Sequence, residues 1–281
     1  MPVNGSDQDT IAIDDRGLSY GDGVFETIRL HQHSPLLLKE HLARLHMGLK
    51  RLGISLDQVL LNQEIEVLSA QFPESGVLKI IVTRGIGGRG YRPDNDADTT
   101  RILSLHPLPD YADASETGVD VKICQQRLAL QPALAGIKHL NRLEQVLAAQ
   151  ELSERNIMEG IMMDMGSNII EGTRCNIFWA EQGALFTPDL SQCGVEGIMR
   201  NYIADSIAET TLCNTSPLEK LLDADEIFLC NSVFGIWPVK RIFSSDSKLL
   251  AEMPITNEGN TFTLRAKALF NQLLISQSRA T

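Results

Sequence analysis

Lys138, Glu171 and Arg44 are the side chains of this sequence whose settings invite chemistry, and each does so weakly when taken alone. Lys138 stands in GIKHLNRLEQV at 136–146, just before a predicted helix and flanked by Ile137 and Leu140. An amine in an apolar setting is pushed toward its neutral form, and a neutral amine can attack a carbonyl. Most lysines beside a leucine instead send the charged head to water. Glu171 is placed at a strand-to-turn junction in EGTRCNIFWAEQGALFTP at 171–188, and Asn176 opens the apolar strand that follows. In GVEGIMR at 194–200, Gly194, Gly197 and Ile198 lead into a helix that begins near Met199. A glycine turn that opens a helix leaves backbone N–H groups able to bind phosphate, although ordinary turns share the pattern. Asn231 and Ser232, after the strand EIFLC at 226–230, could donate to phosphate oxygens. Arg44, in HLARL at 41–45, is either a solvated helix residue or a planar fork for a phosphate.

In combination these groups mean more. An amine for a covalent linkage, a carboxylate that keeps a ring nitrogen protonated, and a phosphate cradle are together what pyridoxal phosphate requires. A further candidate surface is RGIGGRGYRPDNDAD, between two β-rich runs at 76–83 and 101–105. It is too long for a tight turn, and loops of that length are often functional. Arg84, Arg89, Tyr91 and Arg92 are interleaved with its glycines.

The elements that must hold these groups follow from hydrophobic periodicity. Residues 24–30 form a strand after the turn Gly21-Asp22-Gly23, and 36–38 a short second strand, giving a hairpin around 31–34. Leu42, Leu45, Leu49 and Leu52 recur at helical spacing over 39–52, and a second helix covers 57–71. After a linker at 107–118, strands are expected at 119–124, 160–164, 175–180, 184–186 and 226–230, with an apolar segment at 233–239. Helices are expected around 139–154, from near 199, and over 261–275. Both halves mix strands and helices. The expected architecture is therefore α/β (α+β) in two domains, a smaller one over 1–112 and a larger one over 113–281 that carries most of the site, with the active site in the cleft between them.

The chain has 281 residues, 43% hydrophobic and 22% charged, enough to bury a sizeable core. Its net charge of −11 lacks the basic surplus of nucleic-acid binders, so an anionic ligand must be caught by a local basic pocket. Five cysteines without a C-x-x-C pair argue against a disulfide framework or a zinc site and fit a reducing compartment. The first ten residues lack the regions of a signal peptide, and no apolar run has membrane-spanning length. A cytoplasmic protein is expected.

The segment 171–200 resembles the signature of the class IV aminotransferase family, the fold-type IV pyridoxal-phosphate enzymes, through Glu171, Thr173, Asn176, Phe178, Thr187, Gly197, Ile198 and Arg200. SYGDGVFETIRL at 19–30, HLARL at 41–45 and ADEIFLCNS at 224–232 extend the likeness over nearly the whole chain. Within that family, GIKHLNRLEQVLA at 136–148 and TRGIGGRGYRP at 83–93 are similar to the aminodeoxychorismate lyase branch. The resemblance implies pyridoxal 5'-phosphate linked to Lys138, with Glu171 on the pyridine nitrogen. Arg44, Asn176, Ile198, Met199, Asn231 and Ser232 would lie around the cofactor and its phosphate. It implies loss of pyruvate from 4-amino-4-deoxychorismate to give the folate precursor 4-aminobenzoate, with Lys138 and Thr27 catalytic and Arg84, Arg89 and Tyr91 on the substrate. It also implies a homodimer. An aminotransferase acting on D- or branched-chain amino acids is the alternative on the same fold.

Overall fold

The computed structural model describes residues 2–93, 98–111, 113–153, 157–255, 258–259 and 261–277. The 94–97 part of the predicted loop, the predicted helix end at 154 and the predicted boundary residue 112 lie outside them. The chain forms two compact units. One comprises Met1–Pro109, Ile137–Asn141 and Leu274–Thr281, the other Asp110–Gly136 and Arg142–Leu273. The five residues around Lys138 thus group with the N-terminal unit, although they lie within the expected second domain, 113–281.

The first unit is built on an antiparallel sheet of six strands. Their order is Ser6–Asp7, Pro2–Val3, Thr100–His106, Ser75–Thr83, Gly23–His31 and Ser34–Pro35. Alternation along Gly23–His31 sends Val24, Ile28 and Leu30 to one face. There they pack with Leu78, Ile80 and Val82 of the neighbouring strand and with Leu45, Leu49, Leu61 and Ile65 from two helices. Those helices are Leu38–Leu52 and Gln58–Ser69. Each such fully buried aliphatic side chain contributes about 1.5–3 kcal/mol. The hairpin turns at Gln32 and His33, whose φ values of 47° and 62° match a type I′ turn. The expected second strand at 36–38 is instead Ser34–Pro35, because Leu37 adopts φ 52° and swings the chain into the helix.

The second unit holds a mixed nine-stranded sheet. Eight strands run in the order Thr210–Cys213, Ala184–Pro188, Asn176–Glu181, Glu226–Asn231, Gly235–Phe243, Val119–Leu128, Ile157–Asp164 and Ile169–Gly172, with Leu249–Glu252 added on Gly235–Phe243. Trp179, Trp237, Ile177, Leu229 and Val121 form its core. The predicted helix around 139–154 shrinks to Leu143–Gln150, because residues 138–140 run extended. Ile169–Gly172, which carries Glu171, is a full strand where a strand end was expected. Among the described residues no helix is long and apolar enough to cross a membrane.

Candidate active site

Lys138 lies on an extended strap along the strand Gly23–His31. Phe25 N–H donates to the Lys138 carbonyl at 3.0 Å, Leu140 N–H donates to the Gly23 carbonyl at 3.0 Å, and His139 bridges to Val24. This ladder fixes the lysine backbone. The half-buried side chain then reaches over Phe25, its Nζ 4.4 Å from the ring centroid. Lys79, on the adjacent strand, approaches the same ring at 5.8 Å. Thr27 is half-buried and two residues from Phe25 on the strand, so it shares that face. The two residues expected to be catalytic are thus on the same side of one strand.

Glu26 points the other way and is completely buried. Two residues of the helix Leu38–Leu52, one turn apart, meet it there. Arg44 Nε donates to Oε1 at 2.8 Å and Nη2 to Oε2 at 2.6 Å, while His41 Nδ1 lies 2.6 Å from Oε2. Burial pushes the Glu26 carboxyl up, but the Arg44 charge and the hydrogen bonds from His41 and Arg44 more than reverse this and hold it at about 2. Burial also lowers His41, and the positive charges of Arg44 and Lys138 act in the same direction against the pull of Glu26. A neutral His41 therefore donates from Nδ1, and its Nε2 is buried without a hydrogen-bond partner. Arg44 was legible as a candidate fork. The carboxylate that orients it was not recognised, although Glu26 falls on the apolar phase of an alternating strand.

In the second unit, Glu171 is buried and both its oxygens accept hydrogen bonds, from Val195 N–H at 2.7 Å and Gln145 Nε2 at 3.3 Å. Asn176 grips the other side of the same residue, its Nδ2 donating to the Val195 carbonyl at 2.9 Å. Gly136 pairs with this turn as well, donating to the Gly194 carbonyl at 2.9 Å and accepting from Glu196 N–H at 3.0 Å. The turn delivers Gly197 as N-cap of the helix Ile198–Ser206, with no side chain to satisfy the first N–H groups. Ile198 and Met199 are the first two residues of that helix and both are buried. A Cβ at Gly197 would lie 1.9 Å from Asn176 Oδ1. Gly197→Ala is therefore expected to lower stability by about 1–3 kcal/mol in urea unfolding. An unchanged midpoint would show that the Asn176 contact is soft.

Other signature residues position rather than present. Thr187 Oγ donates to the Ile177 carbonyl at 2.9 Å and accepts from Arg200 Nε at 3.3 Å. Arg200 also donates to the Pro188 carbonyl at 2.7 Å, which seats the helix on the sheet. Thr173 donates its hydroxyl to the buried carboxylate of Glu159. Asn231 is engaged in a turn, with Oδ1 accepting from Val233 and Phe234 N–H and Nδ2 donating to the Arg174 carbonyl. Its side chain thus shapes the 231–235 turn, where donation to a phosphate was expected. Ser232 is half-buried at that turn.

The substrate-side expectations divide. Arg84 was expected among the substrate-side groups. It is buried, donates twice to Asp22, and caps the helix Leu38–Leu52 through the Leu52 and Gly53 carbonyls at 2.8 and 2.9 Å. A guanidinium so occupied is a structural clamp. Arg89, Tyr91 and Arg92 are exposed.

The chain is similar to known proteins over most of its length. The amino-transferase class IV family matches residues 23–242. An aminodeoxychorismate lyase of Vibrio harveyi is 34% identical, over 88% of this chain and 93% of the relative. The crystal structure of 4-amino-4-deoxychorismate lyase from Pseudomonas aeruginosa is 42% identical, with a TM-score of 0.86 over 96% of this chain and 97% of that one. A branched-chain amino acid aminotransferase from Escherichia coli superposes with a TM-score of 0.82 at 25% identity, over 97% of this chain and 93% of its own.

Proposed function

The chain belongs to the class IV aminotransferase family, and within it we propose that it eliminates pyruvate from 4-amino-4-deoxychorismate to leave 4-aminobenzoate for folate synthesis. The observation that carries the choice of lyase over aminotransferase is the identity to two lyases, 42% and 34%, against 30% for a putative branched-chain-amino-acid aminotransferase and 25% for the Escherichia coli one.

Its cofactor is pyridoxal 5'-phosphate. Each group that this cofactor needs has a candidate within one unit: a fixed lysine in the first, and in the second a buried carboxylate with both oxygens held and a helix start whose capping side chain is missing. When bound, the cofactor supplies a sink for the charge left on the amine-bearing carbon. Lys138 would hold it covalently, and Glu171 would keep a proton on its ring nitrogen. The backbone N–H groups of Ile198 and Met199 would bind its phosphate, with Arg44 supplying a guanidinium held in place by Glu26. Asn176 and Asn231 act through the turns they fix, and Ser232 offers a hydroxyl beside the second of them.

With the substrate amine in place, the Lys138 amine would take the proton from the amine-bearing carbon. The enolpyruvyl ether then leaves as the ring becomes aromatic, and Lys138 returns a proton to the departing three-carbon fragment, so that atoms balance as 4-aminobenzoate plus pyruvate. Thr27, on the face shared with Phe25, orients that proton or a substrate oxygen. Arg89 and Tyr91 meet the substrate carboxylates.

Glu171→Gln is expected to slow turnover about 100-fold while leaving the cofactor bound. Turnover measured beside cofactor absorbance checks this, and loss of both together would make Glu171 a purely structural residue. The function itself is tested by incubating the enzyme with 4-amino-4-deoxychorismate alone, and separately with an amino acid and 2-oxoglutarate. Pyruvate released without an amino acceptor supports the lyase; amino transfer alone refutes it.

A homodimer is part of the proposal. Leu143, Val146 and Leu147 form an exposed apolar strip at helical spacing on Leu143–Gln150, the kind of face a second subunit covers. A cytoplasmic location is proposed on the five free cysteines. Burial pushes Cys124, Cys193 and Cys230 up to about 12, where a thiol is inert.

A further inference from the structure

The loop after Thr83 rests on the short helix Arg16–Tyr20. Asp15, its N-cap, is fully buried and accepts from the hydroxyls of Thr83 and Thr100, which end the two strands flanking the loop, at 3.0 and 2.7 Å. Arg16 is 3% exposed. Its Nη1 donates to the Gly90 carbonyl at 2.9 Å and its Nη2 to the Tyr91 carbonyl at 3.0 Å. Nε donates to Asp22 Oδ2 at 2.9 Å, the same oxygen that Arg84 Nε reaches at 2.7 Å.

Around this fork the loop is fitted closely. A Cβ at Gly87 would lie 2.4 Å from Arg16 Cδ, so the backbone there packs directly on the arginine stem. The guanidinium carbon lies 4.7 Å from the Tyr20 ring centroid, Tyr20 Oη accepts from Gly90 N–H at 3.2 Å, and Tyr91 stacks edge-on against Tyr20. Arg89 and Tyr91 remain exposed between these anchors.

We propose that Arg16 is a positioning residue for substrate recognition, whose fork fixes the backbone at Gly90 and Tyr91 and so presents Arg89 and Tyr91 to a dicarboxylate substrate. The proposal rests on the function given above. Two adjacent carbonyls bound by one planar guanidinium require arginine geometry, which a lysine point charge does not reproduce. Asp22, shared with Arg84, holds the fork from behind and ties it to the clamp at the end of Leu38–Leu52.

The test uses the full-length holoenzyme with Arg16→Gln, Arg16→Lys and the milder Tyr20→Phe. Trypsin cleavage after the exposed Arg89 reports the loop, and steady-state kinetics with 4-amino-4-deoxychorismate report recognition. For Arg16→Gln we expect cleavage and KM each to rise about 10-fold, with kcat within about threefold and cofactor affinity unchanged. Arg16→Lys should fall between it and the wild type, and Tyr20→Phe should move both readouts the same way by about threefold. Faster cleavage with unaltered KM would overturn the proposal, as would unaltered cleavage. A parallel loss of kcat, KM and cofactor affinity would reduce Arg16 to a folding role and equally overturn it. A wild-type enzyme that released no pyruvate would remove the functional reading beneath it, an outcome separate from all of these.

Discussion

Lys138→Ala is expected to lower pyruvate release by about ten-thousand-fold and to abolish the visible absorbance of the bound cofactor. The size follows from the two tasks assigned to one nitrogen. In the proposed mechanism it would anchor the cofactor covalently and move the proton from the amine-bearing carbon to the leaving fragment. The side chain is held by its backbone ladder to Gly23 and Phe25 and by the Phe25 ring. Removing it therefore deletes a reagent and little of the packing, and urea unfolding should remain near wild type. Turnover of the variant within tenfold of wild type, with the absorbance kept, would sink the assignment.

Glu26→Gln is expected to destabilise the first unit by about 3–5 kcal/mol, because it removes the fully buried carboxylate that Arg44 and His41 both engage. That is a large fraction of the roughly 5–15 kcal/mol that holds a typical domain together. The pH dependence carries the sign of a depressed carboxyl. Held at about 2 in place of its ordinary 4.5, Glu26 contributes on the order of 3 kcal/mol. That stabilisation is fully present above pH 4.5 and is lost as pH falls through 2. Urea unfolding of wild type and variant between pH 6 and 3 measures it. The stability gap between them should narrow as pH falls, and a gap that stayed constant would show that Glu26 is not the titrating group.

The legible parts of this protein are those where one strong local pattern decides. The leucines of 42–52 gave the helix over the first sheet, and alternation gave the strand Gly23–His31. Glycines before Ile198 gave the helix start. What was not legible depends on partners far apart in sequence. The strap at 138–140 was expected to merge into a helix, and it is extended only because Gly23 and Phe25 supply its ladder. Arg84 looked like a loop cation for substrate, yet Asp22 and the end of a helix engage its donors. Asn231 looked like a phosphate donor, yet it serves its own turn. The set of Glu26, His41 and Arg44 did leave a trace: a charge on the buried phase of a strand needs an opposite charge on the element that covers it. That reasoning picks out Glu26 as surely as the spacing picks out Arg44.

Where the cofactor is attached decides the account most directly. Lys79 offers a sharp competitor, since its ammonium approaches the same Phe25 ring as Lys138 does, at 5.8 Å against 4.4 Å. Borohydride reduction of the yellow holoenzyme, followed by peptide mass mapping, should find a pyridoxyl group on Lys138 and no other lysine. A label on Lys79, or a holoenzyme that borohydride leaves unlabelled, would contradict it.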